Sequence, residues 1–353
     1  MSNTHTSAQN NMHRMQAIGA DWWNDSCDID ELSDAVANGA VGATSNPVIV
    51  AAAVKADPDR WIPVVEKLIQ NYPTDSEEDI AWRLIERVGT EASKLLLPVY
   101  EESKGVKGHL CLQVNPKLYR SSEQMLAHGI KLASLAPNIA IKAPATQAGL
   151  DAIEGMTAAG VRVNVTVSFS VAQAIAASQA IDRGLQRAED PDSIHPYITI
   201  MIGRVDDQIK RTFAKGEIDA DEASLEWGGV AVFKKAAEIF RDRSYTGTLL
   251  AAAYRNQVHW SEIIGPDVLQ SIPYNWWKQY SEAGIEPRLS IGESMDESIL
   301  NDLLKFEDFR QAYEEDGMSN EEFVRYGASI HTIRQFIEGY ESLLKDIREL
   351  ILA

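Results

Sequence analysis

The sequence predicts an α/β fold, specifically a (β/α)8 TIM barrel with additional C-terminal helices. Eight short, mostly apolar and β-rich segments alternate along the chain with amphipathic stretches rich in alanine and charge. Strands that alternate with helices indicate βαβ units and a parallel sheet. The 353 residues include no low-complexity block and no long linker, so one domain is expected. Eight βα units in one domain of this size indicate a closed barrel.

Each expected element is assigned from its local pattern. Apolar runs with β-branched residues mark the strands, and helical periodicity marks the stretches between them. The expected strands are Ala17–Trp23, Ala40–Ser45, Gly108–Val114, Ile139–Ala143, Val161–Ser168, Tyr197–Gly203, Gly247–Tyr254 and Val268–Pro273. The expected helices are Glu77–Ser103, Ser121–Leu135, Thr146–Ala159, Val171–Arg183 and Gly229–Arg241.

The two ends of the chain differ from the barrel. Residues 1–15 are polar and lack the basic-then-apolar order of a secretory signal, so we expect a flexible leader before a single domain at residues 16–353. Residues 297–351 are helical by pattern, in Glu297–Glu314 and Asn320–Ile351. An apolar stripe there fits packing either over the barrel or against a second subunit of a homodimer. The stripe consists of Phe323, Tyr326, Ile330, Ile333, Ile337, Tyr340 and Leu344.

Charge and cysteine content exclude several classes of protein. A formal net charge of −19 argues against a nucleic-acid partner, because neutralising phosphates requires clustered lysine and arginine. No apolar stretch approaches the length of a membrane span, so no membrane partner is expected. Two cysteines, Cys27 and Cys111, form neither a metal-spaced pair nor a disulfide framework, which favours a reducing cytoplasm. An anionic substrate would require a few arginines that create a positive site inside this acidic envelope.

Lys142 is the only charged residue in the apolar run 138–146, which is otherwise typical of a buried parallel strand. Burial disfavours the ammonium form of a lysine, and a neutral amine is a nucleophile that can form a Schiff base with a carbonyl substrate. The structural alternative is a lysine whose stem lies along the strand while its head reaches solvent or a carboxylate. This segment by itself leaves both interpretations open.

Polar residues also follow the other expected strands at their carboxyl ends, where catalytic groups lie in a barrel. For several of them, an ordinary structural role is the alternative to a role in catalysis or binding. Asp25 fits a helix N-cap, and Asn46 fits a turn. Arg204 fits an ion pair with Asp206 or Asp207. The full set is Asp25, Asn46, Gln113, Asn115, Lys142, Asn164, Thr166, Ser168, Thr199, Arg204, Arg255 and Asn256.

This set of side chains fits carbonyl chemistry on a polyhydroxylated anion. A lysine can form an iminium with a ketose, and Asp25 can move a proton on a sugar hydroxyl. Amides and hydroxyls can bind the remaining sugar hydroxyls. Arg255 follows the apolar run 249–254, where a permanently charged, planar guanidinium calls for an anion such as phosphate.

Five segments, in order, resemble the conserved segments of the transaldolase family. They are Ala43-Thr44-Ser45-Asn46-Pro47, Ile139-Ala140-Ile141-Lys142-Ala143-Pro144-Ala145-Thr146, Val163-Asn164-Val165-Thr166-Val167-Ser168-Phe169-Ser170, Ile198-Thr199-Ile200-Met201-Ile202-Gly203-Arg204 and Ala252-Ala253-Tyr254-Arg255-Asn256. Each motif is weak alone, but their order and spacing agree from about Trp22 to Pro273. The chain is therefore identified as a member of that family.

The resemblance implies a class I mechanism that uses neither a cofactor nor a metal. Lys142 would be the Schiff-base lysine, Asp25 the acid/base for carbon–carbon cleavage, and Thr166 the residue that positions the catalytic water. The implied substrate-binding residues, with the asparagines on hydroxyls and the arginines on phosphate, are Asn46, Asn164, Ser168, Thr199, Arg204 and Arg255. The family reaction cleaves a ketose between C3 and C4 and passes a dihydroxyacetone unit to an aldehyde acceptor.

Gln113 departs from the family pattern. Transaldolases carry a glutamate there that transfers protons through water, whereas an amide can only position the water. Glutamine resembles the smaller fructose-6-phosphate aldolases of the same superfamily, which release free dihydroxyacetone. Those aldolases have a tyrosine where this chain has Phe169, which favours transfer. Thr199, Met201 and Ala253 also differ from the family around the anion pocket, as expected from a different anionic sugar or from neutral drift.

Three functions follow, in order of preference. The first is a transaldolase-type transferase that acts on a sugar phosphate or another anionic ketose and an aldehyde acceptor. The second is an aldolase that releases free dihydroxyacetone, and it depends on Gln113 alone. The third, from another class, is a non-catalytic protein that binds sugar phosphates. It is disfavoured because Lys142 and Asp25 are both intact.

Overall fold

Eight parallel strands close into a barrel in the computed structural model, which describes residues 10–353. Each strand pairs with the next along the chain, and the eighth pairs with the first. The predicted (β/α)8 fold is therefore confirmed. The strands are β1 (Trp22–Asn24), β2 (Gly42–Thr44), β3 (His109–Gln113), β4 (Ile139–Pro144), β5 (Val163–Thr166), β6 (Tyr197–Met201), β7 (Thr248–Ala252) and β8 (Val268–Ile272).

The helices surround the barrel and continue beyond its last strand. They are α1 (Asn11–Ala17), α2 (Ile29–Ala37), α3 (Pro47–Ala56), α4 (Pro58–Asn71), α5 (Glu77–Glu102), α6 (Ser122–Ala133), α7 (Gln147–Ala158), α8 (Val171–Leu185), α9 (Ile202–Phe213), α10 (Gly228–Arg243), α11 (Val258–Ser261), α12 (Tyr274–Glu282), α13 (Glu297–Leu303), α14 (Glu307–Tyr313) and α15 (Gly327–Leu352). Short 3₁₀ helices occupy Pro116–Leu118, Pro191–Ser193, Glu222–Trp227 and Phe323–Arg325. Within residues 10–353, no helix is both long and apolar enough to cross a membrane.

The N-terminal segment corrects two expectations. The strand predicted at 17–23 starts later, at Trp22, because α1 occupies residues 11–17. The side chain of Asn10 accepts a hydrogen bond from the backbone N–H of His13 and so caps α1. Met12 and Met15 of this helix are fully buried. A flexible leader is therefore wrong for residues 10–15, and residues 1–9 lie outside the described part of the chain.

The lower half of the barrel interior is filled by side chains. Alternate strand residues point inward, because successive side chains of a strand face opposite sides of the sheet. Gly42 leaves the space that the Trp23 ring occupies, since a Cβ at Gly42 would lie 2.5 Å from that ring. The buried cluster contains Trp23, Val41, Cys111, Ala140, Tyr197, Leu250, Ala252 and Leu269. At this end, opposite the carboxyl ends of the strands, the buried polar groups bind one another, as His109 and the hydroxyl of Tyr197 do at 2.6 Å.

The C-terminal helices pack over this chain's own barrel. The stretch predicted as one helical region at 297–314 forms α13 and α14, which are separated at the fully buried Phe306. The helix α15 contacts α3, α4, α5 and α9. In the apolar stripe, Ile330 and Ile337 are half-buried, and the other five members are buried. Because the chain itself covers the stripe, the expected homodimer stays a prediction.

Candidate active site

Lys142 lies in the middle of a row of polar side chains at the upper end of the barrel. In the parallel register it pairs with Gln113 on β3 and with Asn164 on β5. Register partners in neighbouring strands share a face of the sheet, so the three side chains point into the same space. Lys142 is 6% exposed. Within residues 10–353 its ammonium forms no hydrogen bond and no ion pair shorter than 4 Å with another side chain.

Asp25 lies directly after β1 and is half-buried. Burial raises the pKa of its carboxyl group above the ordinary value, and the positive charge of Lys142 is the largest opposing cause. The hydroxyl of Thr44 donates a hydrogen bond to the same carboxylate and also lowers its pKa. A carboxyl group that binds its proton more tightly than usual and lies near the positive charge of Lys142 can serve as a general acid/base. The N-cap alternative is wrong, because Asp28 caps α2.

Gln113 is 5% exposed, and its Oε1 atom is buried without a hydrogen-bond partner in residues 10–353. A buried acceptor of this kind calls for a water or a ligand hydroxyl. Gln113 also lines a small cavity that Ile333 and Phe336 of α15 close from above. The C-terminal helix therefore bounds this cavity beside Gln113.

The segment after β5 turns abruptly. Thr166 is fully buried and ends the strand, with its hydroxyl 3.9 Å from the sulfur of Met201. Val167 has a φ of 50°, a left-handed conformation that is strained for a β-branched residue. The predicted alternation through residue 168 is therefore wrong, since the strand stops before Ser168. The hydroxyl of Ser168 is buried without a partner among residues 10–353, and its role in substrate binding stays a prediction.

Asn164 is held on both sides of its amide. The hydroxyl of Thr199 donates to Asn164 Oδ1 at 2.8 Å, and Asn164 Nδ2 donates to the sulfur of Cys111 at 3.2 Å. All three residues are buried. Thr199 thus contacts the candidate binding residue Asn164. This contact fixes the amide orientation and leaves the second Nδ2 proton for a ligand.

Asn46 has a local role, as a helix cap where its sequence context predicted a turn. Its side-chain oxygen accepts a hydrogen bond of 3.0 Å from the backbone N–H of Ile49 and caps α3, with Pro47 as the first residue of the helix. The cap uses the oxygen only. The amide N–H groups of Asn46 are therefore the part of this side chain that can donate to a sugar hydroxyl.

The two arginines share one carboxylate. The Nε and Nη2 atoms of Arg255 donate to the two oxygens of Asp207 at 3.2 and 3.0 Å. Arg204 Nη1 lies 3.8 Å from the same carboxylate, and Arg204 Nη2 donates to Gln335 of α15. Burial and the nearby charge of Arg255 lower the pKa of Arg204. The predicted ion pair of Arg204 with Asp207 is present, whereas Asp206 pairs with His259.

Two residues that contact the site, Thr44 and Gln335, were not among the predicted site residues. Thr44 belongs to a recognised motif, but only the barrel brings its hydroxyl to Asp25 and within 2.8 Å of Ser271 on β8. Gln335 offers no local signal, since its contact with Arg204 joins positions 131 residues apart. Asn115 and Asn256 serve local structure: Asn115 caps a 3₁₀ turn, and the Asn256 side chain binds Glu226.

Comparisons with known proteins identify the family of this chain. Residues 22–347 match the family model described as transaldolase/fructose-6-phosphate aldolase, and the chain belongs to this family. It is 29% identical over 232 residues to transaldolase 1 of Streptomyces avermitilis, across 63% of this chain and 60% of that protein. It is 33% identical over 234 residues to a transaldolase of Thermobifida fusca, across 63% of this chain and 62% of that protein.

A transaldolase of Kocuria rhizophila is 34% identical over 187 residues, which cover 51% of this chain and 50% of that protein. The matched part of the chain thus spans between half and about three-fifths of these relatives.

Proposed function

We propose that this protein is a transaldolase-type transferase that forms a Schiff base between Lys142 and an anionic ketose. It would pass a dihydroxyacetone unit to an aldehyde acceptor. The observation that carries this proposal is the buried lysine between Gln113 and Asn164, whose charge acts on the carboxyl group of Asp25. A nucleophilic amine and a proton-exchanging carboxyl group at the same end of the barrel are the two parts that a Schiff-base aldol reaction requires.

The cleavage half of the reaction uses these two groups in turn. The neutral amine of Lys142 attacks the ketose C2 carbonyl, and loss of water from the carbinolamine leaves an iminium. The Asp25 carboxylate then accepts the proton of the C4 hydroxyl. The C3–C4 bond breaks, its electron pair moves into the iminium to give an enamine, and the C4 carbon leaves as an aldehyde.

The transfer half runs in the opposite direction on a different aldehyde. The enamine carbon attacks the acceptor carbonyl, and the protonated Asp25 returns its proton to the new hydroxyl. Water then hydrolyses the iminium and restores the Lys142 amine. Thr166 is proposed to position this water, and Asn46 and Asn164 to bind hydroxyls of the donor. Arg204 and Arg255 are proposed to bind the anionic end, with Ser168 and Thr199 completing the site.

Free aldol cleavage is the second candidate, and the orphan Oε1 of Gln113 favours it. An amide can hold a water or a hydroxyl but cannot exchange a proton as a carboxylate does. Phe169, the residue that favours transfer, is fully buried, and its ring lies 6.1 Å from the ring of Tyr326. Phe169 therefore packs beneath the C-terminal segment, which leaves Gln113 as the discriminating residue beside Lys142.

Borohydride trapping tests the central claim. Incubation with a ketose phosphate and borohydride is expected to add the mass of the reduced sugar at Lys142, and Lys142→Ala is expected to abolish the adduct. Lys234→Met is the matched control, because Lys234 is also buried but donates to the backbone carbonyls of Ser290 and Glu293. It should keep the adduct. A wild-type protein that forms none would contradict both enzyme proposals and favour a non-catalytic sugar-binding protein.

An acceptor-dependence assay then separates the two reactions. Strict dependence of ketose consumption on an acceptor aldehyde indicates transfer, whereas release of dihydroxyacetone without an acceptor indicates the aldolase. A panel of ketose phosphates and sulfonates in this assay identifies the anion. We also propose a reducing, cytoplasmic location, supported by the two free and buried thiols of Cys27 and Cys111.

A further inference from the structure

A second buried cluster lies behind the two arginines and takes no part in the proposed chemistry. Asp206 on α9 and His259 on α11 both have fully buried side chains, and His259 Nε2 lies 2.6 Å from Asp206 Oδ2. The other oxygen, Asp206 Oδ1, accepts a 2.7 Å hydrogen bond from the backbone N–H of Gly229 at the start of α10. A buried ionisable pair is costly unless its groups are all satisfied, so its partners indicate its role.

The backbone of Arg255 completes this cluster. Its N–H donates to His259 Nδ1 at 3.1 Å, which makes Nδ1 an acceptor and places the ring proton on Nε2, toward Asp206. Asn256 Nδ2 lies 3.3 Å from Nε2 but has better acceptors in Glu226. The backbone N–H of Arg255 therefore donates to His259, and the ring of His259 donates in turn to Asp206.

The cluster joins the two segments that carry the candidate anion-binding arginines. Asp206 lies two residues after Arg204, and His259 lies four residues after Arg255. The same segments touch through their backbones, since a Cβ at Gly203 would lie 1.9 Å from the carbonyl oxygen of Ala253. Ala253 itself has a φ of 65°, a conformation that persists only where surrounding contacts hold it.

We propose that Asp206 and His259 are a positioning pair, which holds the main chain of Arg255 against Arg204 and thereby sets affinity for the anionic end of the substrate. This inference rests on the proposed function for the identity of the anion-bearing substrate. Without the His259 acceptor, the N–H of Arg255 is unpaired beside a strained residue, so its main chain can shift relative to Arg204 while the guanidinium stays bound to Asp207. The pair contacts the arginine backbone and takes no part in bond cleavage.

Two substitutions at His259 separate its two hydrogen bonds. His259→Asn places an amide oxygen near the position of Nδ1, so it keeps the acceptor for Arg255 but loses Asp206. His259→Gln places an amide nitrogen near the position of Nε2, so it keeps the donor to Asp206 but loses Arg255. We expect His259→Gln to raise KM for an anionic ketose about tenfold. We expect His259→Asn to keep KM within about twofold of wild type.

The neutral ketone dihydroxyacetone is the internal control. Its trapping on Lys142 by borohydride requires no anion site, so its rate is expected to be the same in both variants and in wild type. A merely structural role would lower the melting temperature and affect both substrates alike. Equal KM changes in the Asn and Gln variants, or an equal loss with dihydroxyacetone, would overturn the proposal.

Folding of each variant is checked by circular dichroism. If His259→Gln does not fold, the comparison of His259→Asn with wild type remains. The Asn variant alone also decides the question, since a tenfold rise in its KM contradicts the proposal.

A phosphate readout keeps this inference separate from the proposed function. Inorganic phosphate is expected to raise the melting temperature of wild type and of His259→Asn but not of His259→Gln, whether or not any ketose is turned over. Absence of trapping in wild type would count against the proposed function only. Equal stabilisation of all three proteins by phosphate would count against the positioning pair only.

Discussion

Arg255 is held by Asp207 through two contacts, of 3.2 and 3.0 Å, that involve both carboxylate oxygens. Arg204 lies 3.8 Å from the same carboxylate. One negative charge between two guanidinium groups leaves this group of three residues with a single net positive charge. A single positive charge balances a sulfonate monoanion more closely than a phosphate dianion. The preference for one anion over the other therefore depends on Asp207 as well as on the arginines.

Asp207→Asn should shift this preference toward phosphate. The amide keeps one acceptor for Arg255 but removes the charge, so attraction for a dianion increases more than attraction for a monoanion. The dissociation constant for a ketose sulfonate, divided by that for a ketose phosphate, is expected to rise several-fold. One partly exposed charge contributes about that much to binding. Calorimetric titrations with both sugars measure this ratio. An unchanged ratio would show that Asp207 only orients the guanidinium.

Asp25→Asn should lower activity and raise stability at neutral pH. Burial raises the folded-state pKa of Asp25 above its ordinary value of 3.8, so the folded state binds this proton more tightly than the unfolded state. That contribution favours folding below pH 3.8 and is lost as pH rises through the folded-state pKa. Asparagine does not titrate, so its advantage in unfolding free energy should be present at pH 7 and shrink toward pH 3.8.

Urea unfolding at pH 7 and at pH 4 measures this difference between Asp25→Asn and wild type. Turnover of the ketose should fall by about 10²-fold or more, as expected when a general acid/base is removed. Asp28→Asn is a suitable control, because Asp28 caps α2 and has no contact with the site. A variant that is less stable than wild type at pH 7 would contradict the account of Asp25.

Gln113→Glu should shift the ratio of transfer to free cleavage toward transfer. A carboxylate at this buried position, beside Lys142 in the register, can exchange protons through a water that an amide can only bind. Transfer and dihydroxyacetone release are measured on the same sample with and without an acceptor aldehyde. Gln113→Met has a similar volume and no hydrogen-bonding group, and it should lower both rates together. A ratio that Gln113→Glu leaves unchanged would remove residue 113 as the discriminator.

Gln335→Glu should weaken binding of an anionic ketose. The new carboxylate would pair with Arg204, whose Nη2 now donates to the Gln335 amide, and would compete with the substrate. KM is expected to rise by up to about fivefold, and high salt should reduce the effect. Gln186→Glu, at the C-terminal end of α8, changes the net charge equally at the opposite end of the barrel. If it raises KM as much, overall charge rather than the Arg204 contact is responsible.

Gly203→Ala should damage the anion site from the backbone. A Cβ at this position would lie 1.9 Å from the carbonyl oxygen of Ala253, and neither backbone can move without separating the arginine segments. A stability loss of about 1–3 kcal/mol is expected, as for other overpacked positions. Phosphate binding, measured on the folded fraction, should weaken as well. Gly292→Ala is the control, since no atom lies within 4 Å of its added Cβ.

Much of the site could be predicted from strand ends. Lys142, Gln113 and Asn164 are polar residues within or at the end of predicted strands, and the parallel register brings them side by side. Ser168 shows where this reasoning stops. The alternation of β5 predicted it on the strand face, but the left-handed Val167 ends the strand first. A backbone conformation that is strained for valine depends on its surroundings, so the local pattern does not predict it.

The sequence by itself determined the barrel and the lysine strand, because hydrophobic periodicity and strand-end polarity are local properties of the chain. Only the tertiary structure decided which groups act on Lys142 and on the arginines. Thr44 reaches Asp25 across neighbouring strands, and Gln335 reaches Arg204 from a helix outside the barrel. The apolar stripe of α15 likewise had two possible partners until packing placed it on this chain's own barrel. Contacts between distant segments depend on how the elements pack, which local patterns do not encode.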